Sequence, residues 1–223
     1  MALRRRRCRR QRDGPAVSAV LVTFRRPKEC SRIVEHLATS GFFREVLVWT
    51  NTVGSNCMVY GRYLAAARAS FDIVYTQDDD CMVENIGELL DLFDGERLIC
   101  AMKPDSLERY SCKEYGGGRI ALLGWGAVFR REWLAVLDRY VARFGQDALL
   151  RREADRIFTM LLDRPYRAIE TRIRPFPCAA GPHALWRDPQ HSAYLEEAVK
   201  RTLPLLQPGG RASRLPEIGG ACP

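Results

Sequence analysis

Two kinds of hydrophobic pattern alternate along this chain. Short, near-continuous apolar runs read as buried strands, and longer segments with apolar residues three and four apart read as helices. The first apolar run covers residues 16–24. It is rich in Val and apolar on both alternations, as a central strand covered on both faces must be. Pro27 then opens a helix, where its fixed φ fits the first turn. Cys30, Ile33, Val34, Leu37 and Ala38 form its inner stripe, and Gly41 sits where a C-cap belongs. Residues 45–49 make the second strand, which runs out into Thr50 and Asn51. A helical segment between residues 56 and 70 turns Met58, Leu64, Ala65 and Ala66 inward, and residues 72–76 make the third strand. The opening is therefore β-α-β-α-β, which requires parallel strands and right-handed crossovers.

The pattern continues with a helix over 86–93 behind Asn85 and a strand over 97–102. Residues 103–118 are polar and turn-rich and read as a flexible lid or hairpin. Their Gly116-Gly117-Gly118 is not a phosphate loop, since no Gly-Lys-Ser/Thr follows. A strand is expected over 119–123, then Gly124-Trp125-Gly126 as punctuation and a short strand over 127–129. Helices over 131–144 and 147–162, a last strand over 166–173 and a short helix over 193–203 complete the set. Pro175, Pro177, Pro182 and Pro189 bound a loop that carries His183, Trp186 and His191. The expected architecture is one α/β domain over 15–206, with a mixed, mainly parallel central sheet flanked by helices. Residues 15–102 form its first half, and 103–206 its second half with a closing loop. Residues 207–223 are Gly/Pro-rich and read as a flexible tail.

Charge changes one part of this picture. The net charge is +8, but residues 1–12 hold seven arginines and no acid, leaving about +1 for the rest. Residues 1–14 are therefore expected to be a disordered Arg-rich arm, solvated or able to touch RNA, an anionic membrane or an acidic partner. The folded domain is not basic enough to be a nucleic-acid binder. Asp13-Gly14-Pro15 follows the arginines where a secretory signal would continue into an apolar segment, so none is expected. Nor is a membrane span, for want of an apolar run of about 20 residues. The eight cysteines are scattered with no C-x-x-C, which excludes a zinc-finger spacing and fits reduced thiols in a cytoplasmic protein.

The candidate chemistry lies at the end of the third strand, in Asp78-Asp79-Asp80. Adjacent like charges repel, and burying them unpaired is expensive, so the triplet needs water or a cation. The carboxyl edge of parallel strands is where open α/β sheets bind ligands. Mg²⁺ or Mn²⁺ favours carboxylate oxygens and often binds substrate phosphates as well. An aspartyl-phosphate hydrolase would carry its acids after the first strand, which instead ends Thr23-Phe24-Arg25. A nucleotidyltransferase would show a Gly-rich loop there, and Phe24-Arg25-Arg26-Pro27 has no glycine. A nucleotide-sugar glycosyltransferase needs a nucleotide-binding half, an acidic metal site, a carboxylate on a later helix and a closing loop. The chain offers all four in that order.

Four stretches resemble glycosyltransferases of the GT-A fold, above all the exostosin C-terminal-domain type and bacterial family-2-like enzymes. They are Val46-Leu-Val-Trp-Thr-Asn51, Gly61-Arg62-Tyr63, Val74-Tyr-Thr-Gln-Asp-Asp-Asp80 and Glu153-Ala-Asp155-Arg-Ile157. The resemblance covers roughly residues 16–165 and implies a Rossmann-like GT-A domain of the hexosyl- or N-acetylhexosaminyltransferase class. It implies a nucleoside-diphosphate sugar of UDP or GDP type as donor, Mn²⁺ or Mg²⁺, and a saccharide or small-molecule acceptor. Asp80 is then the direct metal ligand, Asp78 meets the ribose or a metal-bound water, and Asp79 supports them. His191 or His183 supplies a further ligand. Thr23, Phe24, Arg25 and Asn51 line the nucleoside pocket, Arg62 pairs with the diphosphate or the base-side loop, and Trp125 can stack on a sugar. Asp155 or Glu153 acts on the acceptor hydroxyl: as general base if the enzyme inverts, as an orienting or charge-stabilising group if it retains. Oligomeric state is not legible in the chain.

Overall fold

A computed structural model describes residues 2–8, 14–102, 120–164, 166–181 and 184–206. The expected lid at 103–118, His183 and the tail at 207–223 lie outside the described residues.

The strands are β1 (Ala2–Arg7), β2 (Val17–Thr23), β3 (Glu45–Thr50), β4 (Ile73–Gln77), β5 (Cys81–Val83), β6 (Leu98–Met102), β7 (Ala127–Arg130), β8 (Tyr166–Glu170) and β9 (Ile173–Pro175). The α-helices are α1 (Pro27–Thr39), α2 (Tyr60–Ala66), α3 (Ile86–Asp91), α4 (Leu137–Phe144), α5 (Ala148–Leu162) and α6 (His191–Thr202). Seven strands form one sheet in the order β1-β3-β2-β4-β7-β6-β8, and β5 pairs separately with β9. β2, β3, β4, β6 and β8 run one way, while β1 and β7 run against them. The sheet is thus mixed and mainly parallel by strand direction.

Every residue of β2 is buried, because the strand sits mid-sheet under helices on both faces. Ala19 and Leu21 face one apolar cluster with Ile33 and Leu37 of α1 and Ile86 and Leu89 of α3. Val20 and Val22 face the other, with Tyr63 of α2 and Ile157 and Phe158 of α5. The run that read as continuously apolar is the one that must satisfy two cores.

Four expectations need correction. Residues 2–7 are not a disordered arm but edge strand β1, antiparallel to β3 from Ala2 opposite Thr50 to Arg7 opposite Glu45. Arg5 Nε lies 3.2 Å from the buried carboxylate of Glu45, and Arg6 Nη1 lies 2.7 Å from Glu35 of α1. Ser18 and Ser70 also donate to Glu45. Residues 120–123 are not a strand; the sheet position falls to Ala127–Arg130, which pairs with β4 and β6. The segment 131–144 opens as a 3-10 turn, Arg131–Val136, before α4 begins. The strand expected over 166–173 divides, with β8 joining the main sheet and β9 pairing with the unforeseen β5.

Candidate active site

Strand ends build the site from one side. β2 stops at Thr23, and Arg25 takes a left-handed φ of 59°, so the chain turns sharply there. The turn leaves Arg25 exposed, its guanidinium 5.1 Å from the Phe24 ring, and aims Arg26 inward instead. Arg26 Nη1 donates to Asp79 Oδ1 at 2.6 Å and lies 3.6 Å from Asp80 Oδ2. The Phe24 amide donates to Asp79 Oδ2 at 3.1 Å. Asp79 is therefore the fastener that holds the β2 exit against the β4 exit. Arg26 Nη2 also donates to the Cys178 carbonyl at 3.2 Å, and the Phe176 amide donates to the Asp80 carbonyl at 2.8 Å. These bonds tie the segment after β9 to the triplet.

Asn51, at the exit of β3, gives its side chain to the loop that follows. Its Oδ1 accepts from the Cys57 amide at 2.9 Å, and its Nδ2 donates to the Met58 carbonyl at 3.1 Å. Gly124 lies against Asp78, whose amide donates to the Gly124 carbonyl at 2.7 Å. A Cβ at 124 would sit 2.1 Å from Asp78 Oδ2, so only glycine fits beside that carboxylate. Gly61 plays the same part beneath: a Cβ there would meet Trp49 at 2.4 Å. The close approach of α2 to β3 places Arg62 under the site.

Arg62 is 1% exposed. It pairs with Asp78 Oδ1, and its Nη1 lies 3.3 Å from Asp155 Oδ2 on α5. Tyr63 Oη donates to Asp155 Oδ1 at 2.8 Å. Burial pulls the Arg62 pKa down, but Asp155 and Asp78 outweigh it and hold the guanidinium charged. Arg62, expected to pair with the diphosphate or the base-side loop, has these two carboxylates as its partners in the folded chain. Asp155 lines the cleft from α5, which is capped by Asp147 and leaves helical geometry at Glu153, where φ is −111°. Glu153 itself is buried between Arg152 and Arg156, at 3.5 and 3.9 Å, and takes no part in the cleft wall.

A cleft of about 1010 Å³ joins these parts. Of the residues expected from sequence, Thr23, Phe24, Asn51, Asp78, Asp79, Asp80, Trp125, Asp155 and His191 line it, whereas Arg25, Arg62 and Glu153 do not. Arg26, Arg152 and Asp188 line it and were not anticipated. Arg152 had a signal, since it lies one helical turn before Asp155 and so faces the same way. It staples the closing segment to α5: Nη1 donates to Asp188 Oδ2 at 3.0 Å, Nη2 donates to the Leu185 carbonyl at 2.8 Å, and its guanidinium carbon lies 4.4 Å from the Tyr194 ring centre. His191 begins α6, its Nδ1 buried without a hydrogen-bond partner. Burial, with Arg152 and Arg156 nearby, holds its pKa below the usual imidazole value.

Electrostatics favour a cation at the triplet. Burial, with the charge of Asp78 added, pushes the Asp80 carboxyl up to about 7. Burial raises Asp79 against the pull of Arg26, and raises Asp155 against the pull of Arg62. Asp78, Asp79, Asp80 and Asp155 thus share two guanidinium groups, Arg26 and Arg62, and one divalent ion would balance the excess. Among the described residues no three His, Cys, Asp or Glu side chains form a ready-made metal cage. A Mg²⁺-type ion held by one or two carboxylates and completed by phosphate oxygens and water needs none. The residues present fit such an ion, with Asp78 and Asp80 both half-buried on the cleft.

Parallel strands that deliver an acidic triplet to a cleft, joined there by a carboxylate from a later helix, are the arrangement expected of the GT-A fold. No protein-family model and no curated protein sequence matches the chain. Solved structures do share its fold. Mannosyl-3-phosphoglycerate synthase from Rubrobacter xylanophilus superposes with a TM-score of 0.52 at 15% identity, covering 86% of this chain and 76% of that one. The mannosyltransferase PcManGT from Pyrobaculum calidifontis, solved with GDP-Man and Mn²⁺, gives 0.52 at 16% identity, covering 83% and 64%.

Proposed function

We propose that the protein is a metal-dependent glycosyltransferase that moves a hexosyl or N-acetylhexosaminyl group from a UDP- or GDP-sugar to an acceptor hydroxyl. The observation that carries this reading is the excess of carboxylate in one cleft: Asp78, Asp79, Asp80 and Asp155 all line a space of about 1010 Å³. Similar folds bind such donors, GDP-Man with Mn²⁺ in one case.

A Mn²⁺ or Mg²⁺ ion at Asp80 would supply charge stabilisation for the departing diphosphate. The chain's own residues do the rest. Thr23, Phe24 and Asn51 shape the nucleoside pocket at the strand ends. Arg26 and Asp79 fix the β2 exit so that this pocket and Asp80 keep one geometry. Asp155, held by Tyr63 and Arg62, accepts a hydrogen bond from the acceptor hydroxyl and aims its oxygen at the donor sugar. Trp125 offers an apolar face in the same cleft. His191 is the described imidazole in the cleft wall and stands as the second ligand candidate.

The test is a thermal-shift panel of UDP and GDP sugars with and without Mn²⁺. A donor at 100 times its dissociation constant stabilises the protein by about 2.7 kcal/mol. A metal-dependent shift with one nucleotide class supports the reading; no shift with any nucleotide in the presence of metal contradicts it.

A further inference from the structure

Within the site just described, one cation serves two carboxylates that have different tasks. Arg62 is buried and divides its guanidinium between Asp78 of the triplet and Asp155 of α5. Its neighbour Tyr63 donates to the other oxygen of Asp155. Arg62 and Tyr63 are consecutive on α2, and Gly61 just before them lets that helix lie close enough to Trp49 to hold both. Asp78 is held on its far side by Gly124, which leaves its carboxylate little room to move away from Arg62.

We infer that Arg62 is a positioning residue that couples the donor site to Asp155, so that filling the triplet with a divalent ion and nucleoside diphosphate changes the hold on Asp155. This rests on the glycosyltransferase reading. The physical reason is competition for one buried charge. With the triplet uncompensated, Asp78 draws on Arg62 strongly. When a divalent ion shares the negative charge of the triplet, Asp78 needs Arg62 less, and the guanidinium commits to Asp155. Donor binding thereby fixes the carboxylate that meets the acceptor. The linkage is reciprocal: whatever loosens Asp155 from Arg62 strengthens Arg62 on Asp78 and weakens the divalent ion.

Mn²⁺ affinity in the presence of saturating UDP or GDP, read from the free Mn²⁺ signal, tests this without any turnover. It is measured for the wild-type protein, Asp155→Asn, Arg62→Lys and the double variant. Asp155→Asn is expected to weaken Mn²⁺ about fivefold or more, a size typical of coupled sites. In the Arg62→Lys background, where the forked guanidinium that contacts both carboxylates through separate nitrogens is gone, the same substitution has a clearly smaller effect. Equal fold-changes in the two backgrounds would mean that Asp155 acts by plain distance-dependent charge, and would overturn the coupling. Tyr63→Phe guards against a misfolded Arg62 variant. It frees one oxygen of Asp155 without touching Asp78, so Arg62 shifts toward Asp155 and Mn²⁺ binds more tightly; unchanged affinity counts against the inference. A wild-type protein that binds no Mn²⁺ with either nucleotide overturns the functional reading and the coupling together, whereas normal wild-type binding with additive variants removes the coupling alone.

Discussion

Asp80 and Glu153 both have carboxyl groups raised to about 7, but for different ends. Asp80 opens on the cleft with Asp78 and Asp79 beside it, so its proton yields to a cation. Asp80→Ala is expected to lower metal-dependent donor turnover by about 100-fold or more while the folded state persists. Circular dichroism and an activity titration with Mn²⁺ check both halves. Glu153 is shut away at the α5 kink, where burial raises its carboxyl above the usual value of 4.5 although Arg156 and Arg152 pull it down. A folded pKa above the unfolded one means that the contribution to stability is intact below pH 4.5. It is then lost as pH climbs to 7 and beyond, by about 3 kcal/mol at most. Urea midpoints at pH 4.5 and pH 8 should therefore differ less in Glu153→Gln than in the wild-type protein. Asp80 adds a loss of the same sign over the same window, which the variant retains.

At the scale of elements, the glycine beside Asp78 carries the clearest prediction. Gly124→Ala places a methyl 2.1 Å from Asp78 Oδ2, so the carboxylate must move. We expect Mn²⁺–nucleotide affinity to fall about tenfold, as for lost support of a metal site, with little change in the far-UV spectrum. Residues 72–76 and 16–24 were legible as strands because both faces of a central strand demand apolar residues. β1 was not, since LRRRR has no apolar alternation; its strand comes from the ladder with β3 and from Glu45, which waits for Arg5. The Arg25–Arg26 pair shows the same limit at the site. Composition located a cation at the β2 exit, but the left-handed turn at Arg25 decided that Arg26 faces the acids. Glu153 and Asp155, two positions apart on α5, take different faces: Glu153 is shut between Arg152 and Arg156, and Asp155 lines the cleft.

Across the whole molecule, Arg4 to Arg7 belong to the sheet rather than to a separate binding arm. Deleting residues 1–8 strips Arg5 from the buried Glu45 carboxylate, at a cost of about 2 kcal/mol. For a domain of this size that corresponds to a melting temperature lower by about 4–8 °C. Donor binding should survive the deletion, because the cleft lies at the strand ends of β2, β3 and β4 and no β1 residue lines it. Binding lost in proportion to the deleted arginines would instead revive the arm as the functional part. The two halves of the molecule meet at the triplet: the parallel strands bring Asp78, Asp79 and Asp80, and α5 brings Asp155. The most direct measurement is thermal unfolding with UDP or GDP, with and without Mn²⁺, on the wild-type protein and Asp80→Ala side by side. The account predicts a Mn²⁺-dependent stabilisation by one nucleotide in the wild-type protein that Asp80→Ala abolishes. Equal stabilisation of both proteins, or of neither, would contradict it.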